Sequence, residues 1–206
     1  MTGVQTCALP ISERELEVPV GVTVIHADAI AAHTARTLPE LLAQVAGITT
    51  RDASGSPDRQ IDMRGFGATG DQNTLVLVDG QRLNDIELNT VRWSSIPLDS
   101  IERIEISRGN SGAVLYGDGA VGGVVNIVTK SGVGLPASGQ VSGGYGSFRQ
   151  REGNLSASAS TGPFSTSVFA NAINSDGYRV NNALRQRNAQ GDFRYNLGGE
   201  IGRAHV

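Results

Sequence analysis

The 206-residue chain is 39 % hydrophobic and 18 % charged, with 27 glycines, 5 % aromatics and a formal charge of −3. That size holds one domain, or one and a piece of a second; the composition excludes a charge-rich disordered tail, a collagen-like repeat and any global signature of nucleic-acid binding. No apolar run approaches the roughly 18 residues of a helical membrane span.

Met1 to Ser12 (MTGVQTCALPIS) and Glu200 to Val206 (EIGRAHV) resemble translated sequencing-adaptor read-through. Residues 1–12 and 200–206 are therefore expected to be non-native, and the chain to be a fragment. Cys7, the only cysteine, permits no internal disulfide and no cysteine-based zinc site. Val18 to Ile25 is β-branched and predicts a strand. Asp28 is placed to cap a helix over Ala29 to Ala35. Thr37, Pro39 and Glu40 form a capping-box pattern for a second helix, with an apolar face at Leu38, Leu41, Leu42 and Val45 and with Gly47 as its stop.

Arg51 to Gln60, Gly67 to Asn73 and Asn84 to Arg92 read as polar loops. Between them, Thr74 to Val78 is a short apolar strand that runs into Asp79 and Gly80, a strong two-residue hairpin signal with Gln81 to Leu83 returning. Ile104 and Ile106 flank Glu105 at strand period, Ser111 to Tyr116 allows one helical turn, and Gly122 to Thr129 reads as a strand buried on both faces. Short strands mixed with short helices predict an α+β domain over 18–130.

Beyond Lys130 the texture changes. Residues 1–130 carry a charge of −6 and residues 131–206 one of +3. Asn154 to Ser160 sets Leu155, Ala157 and Ala159 against three serines, and Ala189 to Leu197 alternates in the same way. With looser candidates at Gln140 to Phe148 and Phe164 to Asn174, and turns at Gly162-Pro163 and Asn181-Asn182, these segments fit the first strands of an outer-membrane β-barrel. An ordinary soluble β-meander alternates identically, and alternation alone favours that reading over the barrel. Four strands cannot close, since the smallest barrel needs about eight, so a barrel would have to continue past Val206.

Taken in order, the segments resemble the plug domain of TonB-dependent outer-membrane receptors. Leu38 to Leu42 with Gly47-Ile48 is similar to the family's early leucine-rich element, with Ala46 where proline is usual. Ile61 to Gly67 (IDMRGFG), Leu75 to Gly80 (LVLVDG), Ile101 to Ile106 (IERIEI), and Arg108-Gly109 through Leu115-Tyr116-Gly117 to Gly122–Lys130 (GGVVNIVTK) follow at compatible spacings. Asn110 replaces a usual proline. No TonB box is identifiable; Glu15 to Val18 is a faint candidate.

The resemblance implies an α+β plug followed over 131–199 by the first antiparallel strands of a transmembrane barrel. The activity it implies is energy-coupled uptake of a scarce nutrient (ferric siderophore, haem or cobalamin class) across the outer membrane of a Gram-negative bacterium. Implied partners are TonB, outer-membrane lipid and a small nutrient chelate. Enzymatic activity, a nucleic-acid partner, a resident cofactor and a resident metal are not expected. Arg64 and Arg108 are implied to pair with glutamates on the barrel wall. Gly65, Asp79, Gly80, Gly109, Gly117, Gly122 and Gly123 are implied to shape the plug. Arg51, Asp52, Asp58, Arg59, Asp71, Gln72, Asn73, Asn84 and Asp85 are the loop candidates for substrate contact.

Three blander readings stand beside these. Gly117 to Gly122 is literally G-x-G-x-x-G, but a β-branched run follows where a dinucleotide site needs a helix. His26 and His33 lack a third ligand at metal spacing. The alternative to a receptor is a free-standing periplasmic α+β binding module, which would end in native sequence and fold alone.

Overall fold

Most β-branched runs of the first 130 residues become strands of a single sheet. The computed structural model describes residues 21–35, 37–52, 58–84, 91–109, 119–131, 136–177, 180–196 and 201–205. In chain order it contains β1 (Val22–His26), α1 (Ala27–Ala32), α2 (Leu38–Leu42), β2 (Ile48–Arg51), β3 (Gln60–Met63), α3 (Gly70–Asn73), β4 (Thr74–Val78), β5 (Gln81–Arg82), β6 (Ile101–Arg108) and β7 (Gly123–Thr129). Five of these strands form a mixed sheet in the order β1-β6-β7-β4-β5, with β4 parallel to β7 and the other pairs antiparallel. β2 and β3 form a separate two-stranded ribbon.

Alternation divides this sheet into two faces. Ile104 and Ile106 of β6, Val125 and Ile127 of β7 and Val76 of β4 point to one side. There they meet Ile30 of α1, Leu38, Leu41 and Leu42 of α2, Ile48, Ile61 and Met63 of the ribbon, and Trp93. On the opposite side Leu75, Leu77, Val124 and Ala120 form a smaller cluster. The same side carries a buried carboxylate, Glu105, which accepts hydrogen bonds from Arg103 Nε at 2.7 Å and Asn126 Nδ2 at 2.9 Å. A buried carboxylate persists where such partners satisfy it.

Several local expectations change. Helix α1 begins before Asp28, with His26 at the N-cap position and no side-chain cap, and it ends at Ala32. Asp28 instead lies in the first turn, where its charge favours the exposed amide dipoles. At α2, Thr37 occupies the N-cap position without making a side-chain bond, and Glu40 pairs with Arg59 at 3.4 Å, so the capping box does not close. The helix stops at Leu42; Gly47, at φ +81°, lies beyond its C-cap Ala43 and turns the chain into β2. Residues 67–73 are a 3-10 turn followed by α3 rather than an open loop. Asp62 accounts for this tightening, because its carboxylate accepts the Phe66 and Gly67 amides at 2.8 and 2.7 Å. The Asp79-Gly80 hairpin forms as expected: both residues have positive φ (50° and 83°), the type I′ geometry that joins twisted strands.

After residue 137 the chain forms a purely antiparallel meander. Strands β8 (Ser138–Tyr145), β9 (Arg151–Thr161), β10 (Phe164–Ser175), β11 (Leu184–Asn196) and β12 (Ile201–His205) lie side by side in chain order. The full-length strands are 8 to 13 residues, close to the 9–11 that a tilted strand needs to cross a bilayer. Residues 201–205, set aside as adaptor-like, extend the sheet by pairing with β11.

Candidate functional site

The two sheets meet along a belt of short polar side chains. Ser142, Asn154, Asn171 and Asn188 are mutual partners across β8, β9, β10 and β11, so one row of the meander is a ladder of hydrogen-bonding groups. Asn171 Nδ2 donates to Asn154 Oδ1 at 2.7 Å, and Asn188 Nδ2 donates to Asn171 Oδ1 at 3.2 Å. Asn154 Nδ2 continues the chain to Ser142 Oγ at 3.3 Å. At one end of the row Asn188 Nδ2 also donates to the Ser94 carbonyl at 2.7 Å, and Gln186 Nε2 reaches Ser94 Oγ at 2.7 Å. Lower on the meander, Ser167 Oγ donates to the Lys130 carbonyl at 3.2 Å. Ser142 Oγ also donates to the Asp99 carboxylate at 3.5 Å; the other bonds across the interface are neutral, each worth about 0.5–1.5 kcal/mol net. Such contacts hold two surfaces in register and can be exchanged for water one at a time.

The faces of the meander are polarised in the opposite sense to a soluble sheet. Ser156 and Ser158 of β9, Ser165 and Ser167 of β10, and Gln190 and Asp192 of β11 are half-buried or buried on the side facing the mixed sheet. Val141 (78 % exposed), Tyr145 (75 %), Leu155, Phe164, Val168, Phe193 and Tyr195 point away. A contiguous apolar surface of this kind marks contact with another apolar phase or partner. Leu155, which the sequence pairs with the alanines as an apolar face, therefore turns outward.

The structure distributes the predicted site residues unevenly. Arg108 is held within the first domain: Nε donates to the Ala46 carbonyl at 3.0 Å and Nη1 to Thr23 Oγ1 at 2.9 Å, tying β6 to β1 and to the turn before β2. Arg64 is exposed, with φ +72°, and makes no hydrogen bond or ion pair among the described residues. Gly65 and Gly109 have φ of +81° and +92° beside it, and a Cβ at Gly109 would lie 4.0 Å from Arg64 Nη1. Asp79 fixes the far edge of the sheet, where its carboxylate accepts the Thr129 amide at 3.0 Å and the Thr129 hydroxyl at 2.6 Å. Gly122 donates its amide to the Asn73 carbonyl at 2.7 Å. Gly117 and Asp85 lie outside the described residues.

Among the loop candidates, most serve the scaffold. Asp58 Oδ1 accepts the Ser94 amide at 2.7 Å, Asp71 Oδ1 accepts the Ile61 amide at 3.2 Å, and Asn73 Nδ2 donates to the Thr69 carbonyl at 2.9 Å. Arg59 is paired with Glu40. Arg51 belongs to β2, and it, Asp52 and Gln72 are exposed.

Asn84 has the most structural part of all. Its Oδ1 accepts the Val76 amide at 2.6 Å, while Nδ2 donates to the carbonyls of Asp71 and Thr74, both at 3.0 Å. The side chain thus completes the edge of β4 where the backbone of β5 departs. Asn84→Ala is expected to destabilise the domain by about 2 kcal/mol, because the Val76 amide loses its acceptor. Asn84→Asp should cost at least as much, since the new oxygen faces two carbonyls. Denaturant midpoints measure both; a cost below about 0.5 kcal/mol for either would contradict this role.

Comparison with known proteins places these features in a family. Residues 14–124 match the model of the TonB-dependent Receptor Plug Domain. The chain is 39 % identical over 146 residues to the ferrienterobactin receptor of Escherichia coli (strain K12), an alignment covering 63 % of this chain and 19 % of that protein. It is 35 % identical to the vitamin B12 transporter BtuB of Vibrio vulnificus (strain CMCP6), covering 75 % and 23 % respectively. Among solved structures, the siderophore receptor PirA from Pseudomonas aeruginosa superposes with a TM-score of 0.67 at 29 % identity, over 92 % of this chain and 33 % of that one. The chain thus spans about a fifth of the length of these curated relatives. With the plug model matched over more than half of the chain and an antiparallel meander following it, this protein belongs to the TonB-dependent receptor family.

Proposed function

We propose that the chain is the plug and first wall strands of an outer-membrane receptor that imports a scarce nutrient, as a chelate, with energy delivered through TonB. The observation that carries this reading is the inverted polarity of the meander, with amides and hydroxyls toward the plug and Val141, Leu155, Val168 and Phe193 away from it. That pattern suits a wall with lipid on one side and a polar lumen on the other. The nutrient class proposed here is a ferric siderophore, haem or cobalamin, a reading supported by relatives named as receptors or transporters for ferrienterobactin, hemin and vitamin B12. Receptors of this kind transport their ligand without chemical conversion.

In mechanism, the plug must occupy the lumen and yet part from the wall locally at low cost. The neutral asparagine and serine belt meets both demands, since its hydrogen bonds can pass to water during a pull. Arg64, exposed and without a bond among the described residues, is the group we assign to a wall carboxylate contributed by the rest of the receptor. Arg108, whose Nε and Nη1 bond Ala46 and Thr23 within the plug, is the second arginine we assign to a wall carboxylate. The exposed Arg51, at the end of β2, and Gln72, in α3, are the candidates we assign to ligand contact.

The test uses the receptor that contains this chain, freed of other cysteines, with single cysteines placed at Val168 and Ser158. Val168→Cys should resist a water-soluble maleimide, whereas Ser158→Cys should react with it. Equal aqueous labelling of both would favour the periplasmic binding module instead. Arg64→Ala should raise protease access to the plug in this receptor and lower TonB-dependent uptake; unchanged values for both would remove Arg64 from the plug–wall contact.

A further inference from the structure

Three arginines stand together on the outward, otherwise apolar face of the meander. The strand register aligns Arg151, Asn174 and Arg185 in one row and Gly153, Ala172 and Arg187 in the next. These two rows, with Glu152, Ile173 and Gln186 of the row between them, line a cleft of about 690 Å³. The small Gly153 and Ala172 leave its floor open between the arginines. All three guanidinium groups belong to exposed residues and make no hydrogen bond or ion pair among the described residues. Neither row holds an acidic residue; Glu152, in the inward row between them, accepts from Gln150 Nε2 at 3.4 Å, and Asp176, in the adjoining connection, is engaged by Arg149.

The position of the cluster along the strands points to its ligand. One row further on, the face becomes Leu155, Ala170 and Ala189, the start of the apolar band. Phe164 and Tyr195 close that band at its other end, next to the two-residue turn at Gly162-Pro163. The arginines lie at the end with the longer connections, 146–150 and 176–183. In outer-membrane barrels short turns face the periplasm and long loops the exterior, so this end meets the outer leaflet at headgroup depth. Unpaired arginines there present planar forks suited to bidentate contact with phosphate. Basic pockets on a membrane surface select anionic headgroups by the same chemistry.

We propose that Arg151, Arg185 and Arg187 form a binding site for the phosphates of a glycolipid headgroup of the lipopolysaccharide class in the outer leaflet. The inference rests on the reading that this face of the meander meets lipid. It is tested on the detergent-purified receptor containing this chain, titrated with phosphorylated lipid A, with dephosphorylated lipid A and with inorganic phosphate, following the thermal midpoint. Phosphorylated lipid A should raise the midpoint of the wild type. The triple variant Arg151→Gln, Arg185→Gln, Arg187→Gln should need about tenfold more of it or fail to respond. The variant with lysine at the same positions, which keeps the charge but not the fork, should respond at intermediate concentration. An equal response to dephosphorylated lipid A, a full response to inorganic phosphate alone, or a triple variant matching the wild type would each overturn the proposal. Quenching of a fluorophore at Val168→Cys by brominated lipid checks the underlying reading separately. Quenching retained in the wild type and the triple variant shows the face in lipid whatever the headgroup result. Its absence in the wild type would overturn the membrane reading and this site with it.

Discussion

Replacing Trp93 by alanine is expected to destabilise the plug by about 3–5 kcal/mol, the cost of emptying a large, closed core site. Trp93 is 1 % exposed and packs where α2, the β2–β3 ribbon and the main sheet converge. Its 3-10 turn, Trp93–Ser95, also carries Ser94, the plug residue that receives both Asn188 and Gln186 from the meander. The substitution should therefore lower the denaturant midpoint and also loosen the plug from the wall strands, read as faster proteolysis within residues 91–100. The indole Nε1 has no partner among the described residues, so Trp93→Phe sacrifices no hydrogen bond and should recover most of the loss. A Trp93→Ala midpoint indistinguishable from wild type would show that this segment is not part of the core.

The second large effect is expected at Gly123, where valine should cost about 3 kcal/mol or more. Its φ of +152° is one that residues with a side chain rarely adopt, and a Cβ there would lie 2.5 Å from the Ser107 carbonyl and 2.6 Å from Met63 Cε. The carbonyl belongs to the neighbouring strand and cannot yield without breaking the β6–β7 ladder. Met63 is itself fully buried, so its methyl has nowhere to go. Gly139→Ala is the control: it lies in β8, where the new methyl would meet a single atom at an ordinary 3.7 Å. Equilibrium unfolding of the two variants side by side decides the point, and equal midpoints would sink the argument for close strand approach at Gly123.

The regular elements were legible because local chemistry dictates them. Thr74 to Val78 is a β-branched and aliphatic run closed by Asp79 and Gly80, and it folds as a strand and type I′ hairpin over those residues. The meander strands followed from their period of two and their turn residues. The helix caps did not transfer. Thr37 and Glu40 match a capping box in spacing, yet Glu40 is drawn to Arg59 from the ribbon, a partner brought close only by folding. Residues 67–73 read as a loop by composition, whereas the Asp62 carboxylate five residues away winds them into turns. The asparagine ladder is not legible in the sequence for a related reason. Asn154, Asn171 and Asn188 recur at intervals of 17, a spacing without meaning until two hairpins with their particular turns bring the three side by side.

Sequence alone determined the two textures of this chain, the order of its motifs and hence its resemblance to the plug family, because hydrophobic period, turn chemistry and short motifs are local properties. Tertiary structure decided which way each polar group faces. It gave Asn84, Asp58, Asp71 and Arg108 hydrogen-bond partners within the plug and left Arg64 exposed, through contacts between residues far apart in the chain. It also decided the sidedness of the meander. Alternation is symmetric between the faces of a strand, so only docking against the plug could place Ser158, Ser167, Asn171 and Phe169 inside and Val141, Val168, Phe164 and Phe193 outside.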